Sequence, residues 1–168
     1  MGCPGAGKST FARALSKKSG IPVIHLDYYY HQKKFDFGNN KQAWLDKIAE
    51  LTSGDSWIIE GNYSSSYEQR IPVSDTLIFL DMPPWLSVWS VLKRRFQYSN
   101  KGRAEMPADW VERINLEFFK YVVMFNIKSR KNITNGISKY NHENLNVLTF
   151  KKRKDAYKWL RTFNKVIY

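Results

Sequence analysis

The sequence predicts one α/β domain, a sandwich of parallel strands and helices, and three observations carry that expectation. Short apolar runs, several ending in an acid or a glycine, alternate with longer stretches of helical periodicity; strands apolar on both faces belong in a buried parallel sheet. The 168 residues suffice for one core and are too few for two ordinary domains. No Gly/Ser linker and no internal repeat divides the chain, so a single domain over 1–168 is expected, with its ligand crevice at the carboxyl ends of the strands.

In chain order, Ser9 to Lys18 reads as the first helix and Ile21-Pro22-Val23-Ile24-His25-Leu26-Asp27 as a strand. Lys41 to Leu51 is helical, with Ala43, Trp44, Ile48 and Leu51 on one side, and Trp57-Ile58-Ile59-Glu60 and Thr76 to Asp81 are strands. Pro84 to Phe96 and Pro107 to about Lys128 are helices; in the second, Trp110, Ile114, Phe118, Tyr121, Val122 and Phe125 recur at helical intervals and read as a core-facing stripe. Asn146 to Phe150 is the last strand, and Tyr157 to Val166 a closing helix. Between the two central helices, Gln97 to Ala108 places Asn100, Gly102 and Pro107 among charges, the pattern of a mobile insert, and the candidate lid spans about 93–115.

Composition narrows the class. With 43% hydrophobic and 25% charged residues the chain is neither disordered nor collagen-like. A lone cysteine, Cys3, excludes an internal disulfide framework and a Cys-built zinc site, and without a signal-like start it points to a reducing cytoplasm. No apolar run approaches the ~20 residues of a membrane helix, so no membrane partner is expected. The net charge of +12 is uneven: residues 1–84 carry nine basic and nine acidic side chains, and 85–168 carry eighteen and six. The excess gathers at Lys93, Arg94, Arg95, Lys101 and Arg103, at Lys128, Arg130 and Lys131, and at Lys151, Lys152, Arg153 and Lys154. Such a half could grip nucleic acid, a polyphosphate ligand or an acidic partner, or be a solvated face.

The most specific motif is Gly2-Cys3-Pro4-Gly5-Ala6-Gly7-Lys8-Ser9, which fits G-x-x-x-x-G-K-[ST] and runs through Thr10 into a helix. Its glycines let backbone N–H groups turn around phosphate oxygens; Lys8 can reach the β- and γ-phosphates, and Ser9 can ligate magnesium. Gly2 to Thr10 is therefore the expected ATP cradle. Such a loop should follow a buried strand, yet only Met1 precedes Gly2. The expectation is a late start, from a misassigned start codon or a truncation, with roughly six further residues upstream.

Phosphoryl transfer also requires an acid to support magnesium through water and often another to orient or deprotonate the acceptor. Asp27, Glu60 and Asp81 end apolar runs, where the crevice of an open α/β sheet lies. Glu60 is the preferred magnesium-side acid and Asp27 the acceptor-side one; Met82-Pro83-Pro84 after Asp81 reads as a helix start, which suits a cap. His25, inside a strand, reads as a satisfied core residue. Arg94, Arg95, Arg103 and Arg113 flank the candidate lid and could stabilise transferred charge, while Asn62, Tyr63 and Arg70 lie on the acceptor side.

Taken together, Gly2 to Ala12, Ile24-His25-Leu26-Asp27, Trp57 to Ser64, Arg70-Ile71-Pro72, Asp75-Thr76, Phe79-Leu80-Asp81 with Pro83 and Trp85, and Arg94-Arg95 resemble the adenylate-kinase-like P-loop kinases, specifically the branch labelled DNA topology modulation proteins. The likeness is strongest over 2–96. It implies a P-loop NTPase three-layer sandwich with a five-stranded parallel sheet, whose first strand is missing from this chain, and a helical lid. It also implies ATP and magnesium, and transfer of the γ-phosphate to a small molecule, with nucleotides among the candidate acceptors. Glu60-Gly61 falls where the group has an acid-Gly pair, with Glu where Asp is commoner, and Arg94, Arg95 and Arg103 fall on its lid arginines. The alternative is an ATP-binding regulator that contacts DNA through its basic C-terminal half; no helix-turn-helix, zinc finger or topoisomerase-type nucleophile motif accompanies it.

Overall fold

The computed structural model describes residues 1–32, 40–83, 85–90 and 116–163. Within them the protein is mixed α/β, in the order α1 (Lys8–Ser19), β1 (Val23–His25), α2 (Leu26–Tyr30), α3 (Lys41–Leu51), β2 (Ile58–Glu60), a 3₁₀ turn (Ser64–Ser66), α4 (Tyr67–Arg70), β3 (Thr76–Leu80), α5 (residues 85–90), α6 (Leu116–Tyr140), β4 (Asn146–Phe150) and α7 (Arg153–Thr162). No helix among the described residues is long and apolar enough to cross a membrane.

The strands form two parallel pairs. β1 lies on β2 with His25 opposite Glu60, and β3 lies on β4 with Leu80 opposite Phe150. Met1 and Gly2 run beside β3: Leu80 donates its N–H to the Met1 carbonyl at 2.9 Å, the Met1 amine donates to Ile78 O at 2.7 Å, and Gly2 makes a parallel bridge to Leu80. On the β2 side, the Asn62 amide accepts from Gly2 N (3.1 Å) and donates to Gly2 O (2.8 Å). Met1 and Gly2, at the start of the glycine-rich motif, are thus tied to the ends of both pairs, although the described strands do not form one five-stranded sheet.

Local chemistry explains the helix limits. Gly20 closes α1 at φ 74°, where it donates to Ser16 O behind Lys17 and Lys18. Asn40 caps α3 by accepting from Ala43 N at 3.0 Å, and Trp44, Leu45 and Ile48 supply its buried side. Phe11 of α1 meets Tyr157 and Trp159 of α7 at ring-centroid distances of 5.8 and 6.3 Å, and Lys18 Nζ donates to Leu160 O at 2.9 Å. The larger core gathers Phe11, Leu77, Phe79, Ile133, Ala156 and Leu160; a smaller one is built on Leu26, Trp44 and Ile48.

Several expected boundaries move. The first strand stops at His25, and Leu26 to Asp27 begin α2 instead of extending it. α6 continues to Tyr140, well past Lys128, because Ile133, Ile137 and Tyr140 recur at helical spacing against the larger core. α7 begins at Arg153, four residues before Tyr157, and ends at Thr162. The candidate lid, the rest of Pro84 to Phe96, and the side chains of the Trp110 to Phe125 stripe lie outside the described residues.

Candidate functional site

Parallel pairing sends His25, Glu60, Leu80 and Phe150 to the same end of their strands, and the glycine-rich loop lies there too, bridged to Leu80. The loop turns at Gly5 (φ 83°) and at Gly7 (φ 97°), a backbone region that side chains rarely tolerate, before Lys8 opens α1. Ala6 donates its N–H to Cys3 O at 3.0 Å. Gly7 provides no side-chain cap, and no acid stands in the first turn of α1. The first N–H groups of the helix and its positive dipole end therefore suit an anion.

Around that helix start the chain assembles charge and donors. Lys8 Nζ reaches back to donate to Cys3 O at 3.2 Å. Ser9 Oγ donates to Glu60 Oε1 at 2.9 Å, and the same oxygen accepts from His25 Nδ1 at 2.8 Å. Glu60 is 6% exposed. Burial pushes its carboxyl up, but the His25 hydrogen bond, the Lys8 charge, the His25 charge and the Ser9 hydroxyl together outweigh it and hold the pKa down to about 2. Glu60 is consequently an anion at neutral pH, beside the Lys8–Ser9 pair.

In the turn after β2, Tyr63 donates its hydroxyl to Asp27 Oδ1 at 2.8 Å. Burial, then the Asp27 charge, drives the Tyr63 phenol upward, so it stays a donor. Its ring packs against Tyr30 at 4.5 Å and Trp44 at 5.1 Å between centroids. Arg70 is 2% exposed and donates to Gly61 O at 3.2 Å, Tyr63 O at 3.3 Å and Asn62 O at 3.5 Å; burial lowers its pKa to about 10. The Arg70 guanidinium holds the Gly61–Tyr63 turn, and Asn62 links that turn to Gly2.

Of the residues singled out from the sequence, Gly2 to Thr10, Asp27, Glu60, Asn62, Tyr63 and Arg70 lie on segments joined by these contacts. Arg94, Arg95 and Arg103 lie outside the described residues. Asp81 is not a solvated terminus: it is buried, and Arg130 of α6 donates to its Oδ2 at 2.7 Å. His25 is satisfied, as a core histidine should be, but its partner is Glu60, which makes it part of the site. Arg153 was visible only as one charge in a basic cluster, yet Nη2 donates to Gly5 O at 2.5 Å and Nε to Ala6 O at 3.3 Å. Cys3 is buried within the loop, and burial raises its thiol pKa, so it stays a thiol rather than a nucleophile.

The hard oxygens of Ser9 and Glu60 suit magnesium, which keeps several waters and needs few protein ligands when phosphates complete its shell. Such an arrangement can bind a phosphorylated anion at α1 and hold a divalent cation beside it. No protein-family model matches the chain, and neither does any curated protein.

Proposed function

We propose that the protein is a magnesium-dependent phosphotransferase on a P-loop core, moving the γ-phosphate of ATP to a small-molecule acceptor. The observation that supports it most is the contact between the loop and β2: Ser9 Oγ, next to Lys8 at the open start of α1, meets the buried Glu60 carboxylate at 2.9 Å. A glycine-rich turn alone does not require that Lys-Ser pair beside an ionised acid. In the proposed core, Met1–Gly2 links the two strand pairs, through its bridge to Leu80 and its hydrogen bonds with Asn62 after β2.

In this reading the loop amides and Lys8 bind the β- and γ-phosphates, and Ser9 with Glu60 through water holds the cation. Magnesium, when bound, offsets charge on the phosphate oxygens. The acceptor oxygen bonds to the γ-phosphorus as the bond from that phosphorus to the β,γ-bridging oxygen breaks; the acceptor's proton passes to Asp27, which Tyr63 orients, and ADP leaves. Arg94, Arg95 and Arg103 are the proposed cations over the transferring group. Nucleotides are the acceptors to screen first.

The test is thermal unfolding with and without ATP and magnesium, beside Lys8→Ala. Saturation at about 100 Kd should add about 2.7 kcal/mol to the wild-type chain, and Lys8→Ala should lose both that shift and phosphate transfer while keeping its unliganded melting temperature. Undiminished transfer in Lys8→Ala, or no nucleotide-dependent shift in the wild type, overturns the proposal.

A further inference from the structure

Arg153 opens α7, three residues past the end of β4, and its side chain leaves that helix to lie against the glycine-rich loop. Nη2 donates to Gly5 O at 2.5 Å and to Ser90 Oγ at 2.7 Å, and Nε donates to Ala6 O at 3.3 Å. Ser90 spends its own hydroxyl proton on Leu86 O at 2.7 Å, so its oxygen faces the guanidinium as an acceptor. One planar cation thereby joins the loop, α5 and α7.

In a planar trans peptide the carbonyl and the following N–H point in opposite directions. Arg153 attracts the carbonyls of Gly5 and Ala6, which turns the N–H groups of Ala6 and Gly7 to the other side. The Ala6 N–H closes on Cys3 O; the Gly7 N–H is directed away from Arg153 at the turn where α1 begins. The guanidinium also offsets the partial negative charge of two carbonyls that would otherwise oppose a phosphate nearby.

We propose that Arg153 is a positioning residue for bound polyphosphate: it fixes the peptide planes at Gly5 and Ala6 so that the loop presents the Gly7 N–H, and not these two carbonyls, to the ligand. The inference rests on the nucleotide reading of the loop. It assigns the role to the fork geometry of arginine, which lysine does not reproduce although it keeps the charge.

Calorimetric titration with ATP–magnesium and with inorganic tripolyphosphate–magnesium, on the wild type, Lys8→Ala, Arg153→Lys and Arg153→Gln, tests it. Arg153→Lys and Arg153→Gln should each weaken both ligands by about tenfold to 100-fold, the range of a charge-assisted hydrogen-bond pair, with unliganded melting temperatures within a few degrees of wild type. If either Arg153 variant fails to fold, Ser90→Ala, which frees one side of the same guanidinium, should weaken both ligands by about two- to tenfold. Wild-type affinity in Arg153→Lys overturns the positioning role, because charge alone then suffices. A loss confined to ATP overturns it too, since it would put Arg153 at the base or ribose. Lys8-dependent binding by the wild type keeps the nucleotide reading in either case; its absence overturns that reading and this inference together.

Discussion

A single carboxylate oxygen, Glu60 Oε1, takes hydrogen bonds from both Ser9 and His25, and that choice of partner joins the loop to β1 and β2. Its pKa near 2, against 4.5 for an unperturbed glutamate, makes the ionised acid a source of stability above about pH 4.5. Because the folded-state value is depressed, this contribution is lost as pH falls from 4.5 toward 2, where the unfolded chain takes up the proton first. The full difference corresponds to at most about 3 kcal/mol. Urea unfolding at pH 5 and pH 2 should therefore show the stability gap between wild type and Glu60→Gln shrinking by a substantial part of that figure. A gap that stays constant with pH would mean that Ser9 and His25 do not hold the ionised form.

At the scale of elements, α6 shows packing overruling local preference. Asn132, Thr134 and Gly136 are weak helix formers, yet the helix runs through them because Ile133 is buried in the larger core. Gly136 lets α6 approach α4: a Cβ there would lie 2.5 Å from Cδ2 of the buried Tyr67 ring. In an exposed helix, alanine for glycine stabilises by roughly 1 kcal/mol. Here Gly136→Ala should instead destabilise by about 1–3 kcal/mol, the usual consequence of overpacking, read as a lower urea midpoint with unchanged slope. A raised midpoint would show that α6 and α4 are not in this contact. The Asp81–Arg130 pair ties the same helix to the end of β3, so α6 is anchored near the loop as well.

Across the whole molecule, the surplus of positive charge in residues 85–168 is partly spent inside the fold. Arg130 neutralises Asp81 and Arg153 braces the loop, so two of the three basic clusters each commit a cation to an internal partner. Those two arginines are then less free to contact nucleic acid. Duplex DNA should accordingly bind only feebly, with little change between 50 and 200 mM salt; a loss of about 10³-fold or more over that range would reveal the many phosphate contacts of a DNA-binding surface.

Local pattern was enough for the glycine-rich loop, for α3 and for the limits of β4, because a glycine turn, a helical apolar face with its Asn40 cap, and a strand-length apolar run are all written in neighbouring residues; the expected burial of β4 on both faces was not met, since none of its residues is buried. Glu60 and Asp27 were legible as acids following apolar runs, although Asp27 belongs to the first turn of α2. Their partners were not. His25 meets Glu60 only because β1 and β2 pair in one particular register, and Arg153 meets Gly5 across 148 positions of sequence. Motif and periodicity are properties of adjacent residues, so the sequence by itself determined the glycine-rich loop and the type of the longer elements, not all of their limits. Register, the burial of Arg70 and the selection of one arginine from a basic run depend on contacts between distant segments, and only the tertiary structure decided those.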